Sequence, residues 1–261
     1  MNPNQTEQRK YLIQELINEN PELKKQAIQI PSDEQQQRLL LRALFNVREP
    51  RPISAKFKQI QDEYLQAVNQ EKGIVKADHF PDGISLWQGD ITRLQVGAIV
   101  NAANSGMTGC YIPNHGCIDN AIHTFAGIEL RNRCNELMQA QGHPEAVGTA
   151  KITPAYNLPA QYVIHTVGPA ITGEVTPQDQ AALASSYRSC LELAAKNQLT
   201  SIAFPCISTG VFHFPNQLAA EIAVQTTREF LANHPTIKKV IFDVFKPTDK
   251  AIYEQLLATD K

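Results

Sequence analysis

After residue 80, short runs of β-branched and aromatic residues alternate with helical segments, and this alternation limits the fold more than any other feature. The β-rich runs are ISLWQ, GAIVNAA, QYVIHTV, SIAFPCI and KKVIFDVF. Helical patterns lie between and after them, over residues 119–140, 177–197, 215–233 and 248–258, and Pro177 and Pro215 suit a first helical turn. Such alternation is typical of a layered α/β fold with a largely parallel sheet buried on both faces.

Residues 1 to about 75 differ, because they are rich in Gln, Glu, Lys and Asn and carry apolar residues at helical spacing. Ser32 followed by Gln35 fits a capping box at the start of a second helix, and Lys72-Gly73 is a stop for a third. We therefore expect a helical N-terminal extension over residues 1–75 and an α/β domain over residues 76–261. The apolar positions of the three helices are Leu12, Ile13, Leu16 and Ile17; Leu40, Leu41, Leu44 and Phe45; and Phe57, Ile60, Tyr64 and Val68.

Charge and composition exclude several classes of partner. The formal net charge of -2 and a pI near 6.4 give no general electrostatic reason to expect nucleic acid or an anionic membrane. The first thirty residues contain no apolar stretch of signal-peptide length, and nothing later approaches a membrane-spanning run. We expect a cytoplasmic protein whose five cysteines stay free or serve chemistry.

Polar motifs follow two of the β-rich runs, where parallel sheets bind ligands. NAANSGM follows Ala98-Ile99-Val100, and Asn101 and Asn104 in it supply both donors and acceptors. STGVFHFP follows Ile202-Ala203-Phe204, and its glycine lets successive backbone N–H groups turn toward an anion. Both motifs are also ordinary turn sequences, as is Asp90 after a glycine, so the residue types leave a structural role open.

The segment TGCYIPNHGC places Cys110, His115 and Cys117 in one short loop. Zinc favours thiolate and imidazole ligands, and a Cys₂His set leaves a fourth position for water or substrate, as catalytic sites do. Gly109, Pro113 and Gly116 would let the loop fold back on itself. Three alternatives remain: a Cys110–Cys117 disulfide, which a reducing compartment disfavours; a nucleophilic cysteine paired with His115; and coincidence.

Four segments, taken together and in order, resemble the macrodomain family, whose members bind ADP-ribose. They are GDITRLQVGAIVNAAN, GCIDNAIHTFAG, GTAKITPAYNLPAQYVIHTVGP and CISTGVFHFP, and the resemblance spans roughly residues 80–258. It implies a three-layer α/β/α sandwich with a central mixed sheet and an ADP-ribose cleft. Asp90 would hold the adenine amino group beside the Ile91 backbone, and Phe245 would lie next to the adenine. Asn104 would contact the distal ribose, and the diphosphate would be wrapped by Ser208, Thr209, Gly210, Val211 and Phe212.

The chain departs from the most familiar hydrolytic macrodomains, which have a short glycine-rich loop where this one has TGCYIPNHGC. This pattern resembles the zinc-containing microbial macrodomains, which also carry a helical N-terminal extension. The resemblance makes Zn²⁺ the implied cofactor and Asp119 a possible base or water-orienting group, whereas His123 and His165 read as supporting or internally satisfied residues. The implied catalytic set is Asn104, Cys110, His115, Cys117 and Asp119.

The resemblance implies a zinc-dependent hydrolase that removes mono-ADP-ribose from modified protein side chains, with an ester to an acidic residue as the favoured linkage. Zinc would activate water or hold a substrate oxygen, and the residues do not choose between these. A lipoyl-carrier protein modified by a sirtuin-type transferase is the implied partner. A non-catalytic ADP-ribose reader and an O-acetyl-ADP-ribose deacetylase remain as alternatives.

Overall fold

The computed structural model describes residues 3–26 and 28–258, so that residues 1, 2 and 27 of the expected extension and 259–261 of the expected α/β domain lie outside the described residues. The first four helices are α1 (Pro3–Asn18), α2 (Pro21–Lys25), α3 (Glu34–Val47) and α4 (Ala55–Glu71). Their apolar faces form one core, which includes the predicted Leu12, Leu41, Phe57 and Tyr64. The prediction of helices ahead of the α/β region is confirmed.

A six-stranded mixed sheet follows, in the order β2-β8-β7-β4-β6-β5. Neighbouring strands are parallel except β5, which runs antiparallel to β6 at the edge. A separate parallel pair joins β1 to β3. The strands are β1 (Val75–Lys76), β2 (Gly83–Gln88), β3 (Leu94–Gln95), β4 (Ala98–Ala102), β5 (Ala150–Pro154), β6 (Tyr162–Thr166), β7 (Ser201–Phe204) and β8 (Lys239–Val244).

Helices cover both faces of this sheet, because successive side chains of each buried strand point to opposite sides. In β4, Ala98 and Val100 join the core under α7, α8 and α9, while Ile99 joins the core under α5 and α6. The predicted three-layer sandwich with a mixed central sheet is therefore confirmed. The helices are α5 (Ile118–Ala126), α6 (Ile128–Gln141), α7 (Pro177–Lys196), α8 (Asn216–Leu231) and α9 (Pro247–Ala258).

The single helix expected over residues 119–140 is wrong, because the chain forms α5 and α6 with a break at Gly127. Gly127 has φ +98°, and a Cβ there would lie 2.9 Å from Gln61 Nε2 of α4. Gln61 Oε1 accepts the Ile128 N–H at 2.9 Å and so satisfies a donor in the first turn of α6. A side chain from the N-terminal helices thus fixes the corner between α5 and α6.

Three smaller details also differ from expectation. The second long helix is capped by Asp33, whose carboxylate accepts the Gln36 N–H at 2.8 Å, and not by the Ser32–Gln35 box. Pro215 is the N-cap of α8 instead of a first-turn residue, whereas Pro177 occupies the first turn of α7 as expected. The edge strand β5 was not expected. None of the helices in the described part of the chain has the length and hydropathy that crossing a bilayer requires.

Candidate metal centre and ligand cleft

Four polar segments lie at one edge of the sheet, because each follows the carboxyl end of a strand in the parallel set. Asp90 follows β2, the NAAN segment ends β4, Ser208 follows β7 and Phe245 follows β8. The order β2-β8-β7-β4 places these strands side by side. In open α/β sheets this edge is where ligands bind.

The loop between β4 and α5 folds back through residues in the left-handed region. Gly109 has φ +89°, and a Cβ there would lie 2.8 Å from His123 Cγ, so no other residue fits without displacement. Met107 and Asn114 also have positive φ, at 59° and 55°. Gly116, which we expected to help the loop turn, is not in this region and a Cβ on it would meet nothing. The reversal is made by Asn114 instead.

This loop gathers the predicted metal ligands. The ligand atoms of Cys110, His115 and Cys117 all lie within 4.8 Å of one another, and all three residues are half-buried. Cys110 Sγ lies 3.5 Å from His115 Nδ1. Tetrahedral zinc with ordinary Zn–S and Zn–N bonds would separate two such atoms by about 3.6 Å, so the three donors fit zinc in type and the Cys110–His115 pair fits it in spacing.

The cysteines of the loop are free, which excludes the Cys110–Cys117 disulfide alternative in this structure. Burial raises the pKa of the Cys117 thiol to about 11, and the Asn120 N–H, which Sγ accepts at 3.4 Å, opposes this only in part. Near neutral pH a thiol with this pKa is protonated, so it is a weak nucleophile without a metal ion. Cys117 is also the N-cap of α5.

A second group of side chains, His123, Cys134 and His165, could also hold a metal ion, and it is fully buried. The nitrogens of His165 already have partners, since Nε2 lies 3.0 Å from Thr153 Oγ1 and Nδ1 lies 3.2 Å from Asn101 Nδ2. Burial lowers the pKa of His165 to about 3, so the ring is neutral. The expectation that His165 is satisfied inside the domain agrees with these bonds.

Asp119 is a buried carboxylate in the first turn of α5. It lies beside residues 108–117, the loop that carries the candidate metal ligands and is called the metal-ligand loop below. Its Oδ1 accepts from Asn101 Nδ2 at 2.7 Å, and its Oδ2 accepts from Asn104 Nδ2 at 3.4 Å. Burial raises the pKa of Asp119 to about 6, with the Asn101 bond and the charge of Arg131 opposing the rise. A carboxyl group with this pKa can take up and release a proton near neutral pH.

Asn104 joins Asp119 to the metal-ligand loop, since its Nδ2 also donates to Gly109 O at 3.2 Å. His123 lies one turn after Asp119, with Nε2 3.5 Å from Oδ1. Burial lowers the pKa of His123 well below its usual value, and the positive charge of Arg131 acts in the same direction, so this ring is neutral as well. The Asn104 amide, the Asp119 carboxylate and the three candidate metal ligands therefore lie together after the end of β4.

The loop after β7 presents backbone donors. Within the described residues, the N–H groups of Ser208, Gly210, Val211 and Phe212 find no acceptor, while Phe214 N donates to Ser208 O at 3.0 Å and closes the loop. Ser208 is held at φ +66°, and its buried hydroxyl also lacks a partner. Several unpaired donors on one short loop are the arrangement by which proteins bind phosphate groups.

Asp90 and Phe245 lie at the opposite end of this sheet edge. Asp90 Oδ1 accepts the Thr92 N–H at 3.0 Å, and Oδ2 pairs with Lys72 Nζ at 2.7 Å. Phe245 is 82% exposed, which is unusual for phenylalanine, and its carbonyl accepts from Gln88 Nε2. Ile91, the other residue expected at the adenine, is buried with its side chain in the core.

Sequence reasoning missed several residues that shape the site. Asn101 was noted only as a polar residue after a strand, yet it holds Asp119. Lys72 was read as a helix stop, yet it pairs with Asp90. Arg42 and Arg131 were not singled out, although both bond to the metal-ligand loop. An arginine directly after the apolar Leu41, at the border of the apolar face of α3, is the signal that could have found Arg42.

Comparison with known proteins agrees with this geometry. The Macro domain family model matches residues 100–223. A protein-ADP-ribose hydrolase of Treponema medium is 54% identical over 97% of this chain and 99% of its own length. A Staphylococcus aureus protein of the same name is 48% identical over 85% of both chains. The crystal structure of the Trypanosoma brucei macrodomain in complex with ADP-ribose superimposes with a TM-score of 0.64, at 32% identity, and covers 83% of this chain and 94% of that one.

The Treponema medium relative aligns over nearly the whole length of both chains, and the Staphylococcus aureus relative over 85% of each. The chain belongs to the macrodomain family.

Proposed function

We propose that this chain is a zinc-dependent hydrolase that removes mono-ADP-ribose from modified protein side chains. One observation carries the proposal: a Cys₂His ligand set and a buried carboxyl group meet at the end of β4, joined by Asn104. A protein that only binds ADP-ribose needs neither of these. The hydrolases named among the relatives, which align over most of the chain, give independent support.

The cleft is proposed to bind ADP-ribose along the sheet edge. Ser208, Thr209, Gly210, Val211 and Phe212 would hold the diphosphate, with unpaired N–H groups supplying the donors. The adenine would lie among Asp90, Ile91 and Phe245, where the Asp90 carboxylate keeps a free lone pair beside its bonds to Thr92 and Lys72. Binding at both ends would place the distal ribose at Asn104, where fixed geometry lowers the barrier to reaction.

Each protein group at the distal ribose would then have a separate role in hydrolysis. Asn104 would orient the ribose, and Asp119 would accept a proton from the attacking water, since its raised pKa suits that exchange near neutral pH. Asn101 would hold the carboxylate in place through the 2.7 Å bond to Oδ1. Zinc bound by Cys110, His115 and Cys117 would supply Lewis acidity at this point.

The substrate linkage and partner are proposed from resemblance to the zinc-containing microbial macrodomains. An ester between ADP-ribose and an aspartate or glutamate is the linkage that we assign, on a lipoyl-carrier protein modified by a sirtuin-type transferase. We place the hydrolase in residues 76–261 and treat residues 1–75 as a helical extension.

The test is incubation of a mono-ADP-ribosylated protein with wild-type enzyme, with Cys117→Ala and with Cys190→Ala as a matched control. Cys190 is a buried residue of α7, in the layer of helices on the other side of the sheet from α5 and α6. We expect release of ADP-ribose by wild type and Cys190→Ala and none by Cys117→Ala. If wild type binds ADP-ribose but releases none from the modified protein, the chain is a non-catalytic ADP-ribose reader. If it turns over O-acetyl-ADP-ribose at least as efficiently as the modified protein, the small ester is the substrate.

A further inference from the structure

The metal-ligand loop, residues 108–117, has little structure of its own. Its one internal backbone hydrogen bond among the described residues is from His115 N to Ile112 O, at 3.2 Å. Three consecutive residues, from Ile112 to Asn114, are exposed to solvent. A loop bonded so sparsely would sample many conformations in isolation. The three ligand atoms nevertheless lie within 4.8 Å of one another, so other parts of the chain fix their positions.

Arg42, on α3 of the N-terminal helices, supplies one of these restraints. Its Nη2 donates to His115 O at 3.0 Å, directly at a metal-ligating residue. Its Nε and Nη2 both donate to Asn120 Oδ1, at 3.0 and 2.7 Å. Asn120 is buried and in turn donates from Nδ2 to Ile112 O at 3.0 Å and from its backbone N–H to Cys117 Sγ. One guanidinium group thus restrains three points of the loop.

Asn46, one turn further along α3, supplies a second restraint. It is buried, its Oδ1 accepts the Asn114 N–H at 2.9 Å, and its Nδ2 donates to Thr124 of α5. Asn114 is the residue that reverses the loop, at φ +55°. Arg131 adds a third, since Nε donates to Thr108 O at 2.7 Å while Nη1 donates to carbonyl groups at the end of α3, among them Asn46 O.

Arg42 has an unusual environment for an arginine. Among the described residues it forms no ion pair, and its bonds go to the amide oxygen of Asn120 and the carbonyl of His115. Arg38, one turn earlier on the same helix and also partly buried, pairs with Glu34 and Glu71 instead. The planar guanidinium fork of Arg42 matches its two acceptors, which a lysine cannot reproduce with one ammonium group.

We propose that Arg42 is a positioning residue for the metal ligands, so that the helices before residue 75 form part of the metal centre. The inference rests on the proposed function in that it takes Cys110, His115 and Cys117 to bind zinc. Mutation of residues that orient metal ligands through hydrogen bonds typically weakens metal affinity or activity by about 10–100-fold. Loss of the Arg42 bonds is therefore expected to weaken zinc binding by about that factor.

The experiment compares zinc release from full-length wild type, Arg42→Met, Arg42→Lys and Arg38→Met. Methionine keeps an unbranched apolar stem and the helix preference of arginine but has no donors, and Arg38→Met is the matched control on the same helix. Each protein is loaded with one equivalent of Zn²⁺ and mixed with an excess of a chromophoric chelator, and the release rate and the competition Kd are measured. Urea unfolding of the metal-free proteins is followed in parallel.

We expect the Kd for zinc to rise about 10–100-fold in Arg42→Met and by less in Arg42→Lys, with Arg38→Met equal to wild type. Zinc affinity in Arg42→Met equal to that of wild type would overturn the positioning role alone. Wild type that binds no zinc would overturn both this inference and the zinc part of the proposed function. Metal-free Arg42→Met and Arg42→Lys that both fail to fold would make Arg42 a general stability residue, which also overturns the inference.

Discussion

The loop after β4 and the loop after β7 lie on neighbouring strands, yet they are held in different ways. The β7 loop is closed mainly by its own backbone, through Phe214 N to Ser208 O and His213 N to Gly210 O. The loop that carries Cys110 and His115 has little internal bonding and is held by side chains of α3, α5 and α6. In the described part of the chain, the β7 loop has one backbone bond from outside, Ile171 N to Phe212 O at 2.8 Å, whereas the other loop depends mainly on side chains from distant parts of the chain.

This difference follows from what each loop offers to a ligand. Backbone N–H groups can bind a diphosphate only if they have no acceptor within the protein. The bonds that hold the β7 loop must therefore leave these N–H groups unused. The candidate metal ligands are side chains, so the backbone N–H and C=O groups of the metal-ligand loop can form hydrogen bonds to other parts of the chain. Side chains of α3, α5 and α6 supply these bonds, and through α3 the N-terminal helices contribute directly to the position of the loop.

The largest effect should come from the carboxyl group beside the metal-ligand loop. Asp119→Asn keeps the shape of the side chain but removes the proton acceptor, and removal of a general base typically costs 10²–10⁴-fold in rate. We expect kcat for ADP-ribose release to fall within that range while the Kd for ADP-ribose is unchanged. Single-turnover release and calorimetric binding measure the two quantities. An unchanged kcat would remove Asp119 from the chemistry.

A matched pair of glycine substitutions tests the structural contrast between the loops. In Gly109→Ala the new Cβ would meet His123 Cγ at 2.8 Å, at φ +89°, and strain and overpacking together should cost about 2–4 kcal/mol in the free energy of unfolding. In Gly210→Ala the new Cβ meets nothing within 4 Å, and stability should change by less than about 0.5 kcal/mol. Urea unfolding decides between them, and equal losses would contradict the contrast.

The β8 end of the sheet edge also contains a buried carboxyl group, Asp243. Burial, and secondarily the nearby Asp90, raises the pKa of Asp243 on β8 to about 8. Because this pKa is raised above that of an unfolded aspartate, the stabilising contribution is complete below about pH 4 and is lost as the pH rises toward 8. Asp243→Asn should remove that loss, so that the free energy of unfolding of the variant rises relative to that of wild type by on the order of 1 kcal/mol per pH unit in this window. Parallel stability–pH curves for the two proteins would contradict it.

The smallest effect is expected where the N-terminal helices reach the other end of the cleft. Lys72 pairs with Asp90 at 2.7 Å, but the Asp90 side chain is 37% exposed, and such pairs contribute at most about 1 kcal/mol. Lys72→Met should therefore change the Kd for ADP-ribose by less than about fivefold, and less still at high salt. A change as large as that in zinc affinity for Arg42→Met would show that the extension restrains both ends equally.

Much of the fold was predictable because the buried parallel strands are nearly continuous apolar runs. β4, β7 and β8 are buried along almost their whole length and are bounded by clear helical patterns. The edge strand β5 was missed because Ala150–Pro154 is mostly half-buried, ends in a proline and has no continuous apolar run. The break at Gly127 could not be predicted, since it depends on Gln61 of α4 packing against that residue.

The grouping of the candidate metal ligands was predictable and its support was not. Cys110, His115 and Cys117 are close in sequence and are residue types that zinc prefers, so the sequence indicated a candidate zinc site, with a disulfide, a nucleophilic cysteine and coincidence as alternatives. Arg42 lies 73 residues before His115, and no local pattern links the two. Residues that act through tertiary contacts become visible only when helices from different parts of the chain are packed together.

Metal removal tests the central claim most directly. Wild type is treated with chelator, freed of the chelator, and compared with the same sample after addition of one equivalent of Zn²⁺, and release of ADP-ribose from a mono-ADP-ribosylated protein is followed alongside ADP-ribose binding. The account predicts that the stripped enzyme still binds ADP-ribose but does not release it from protein, and that zinc restores release. Stripped enzyme that releases ADP-ribose at the untreated rate would contradict it.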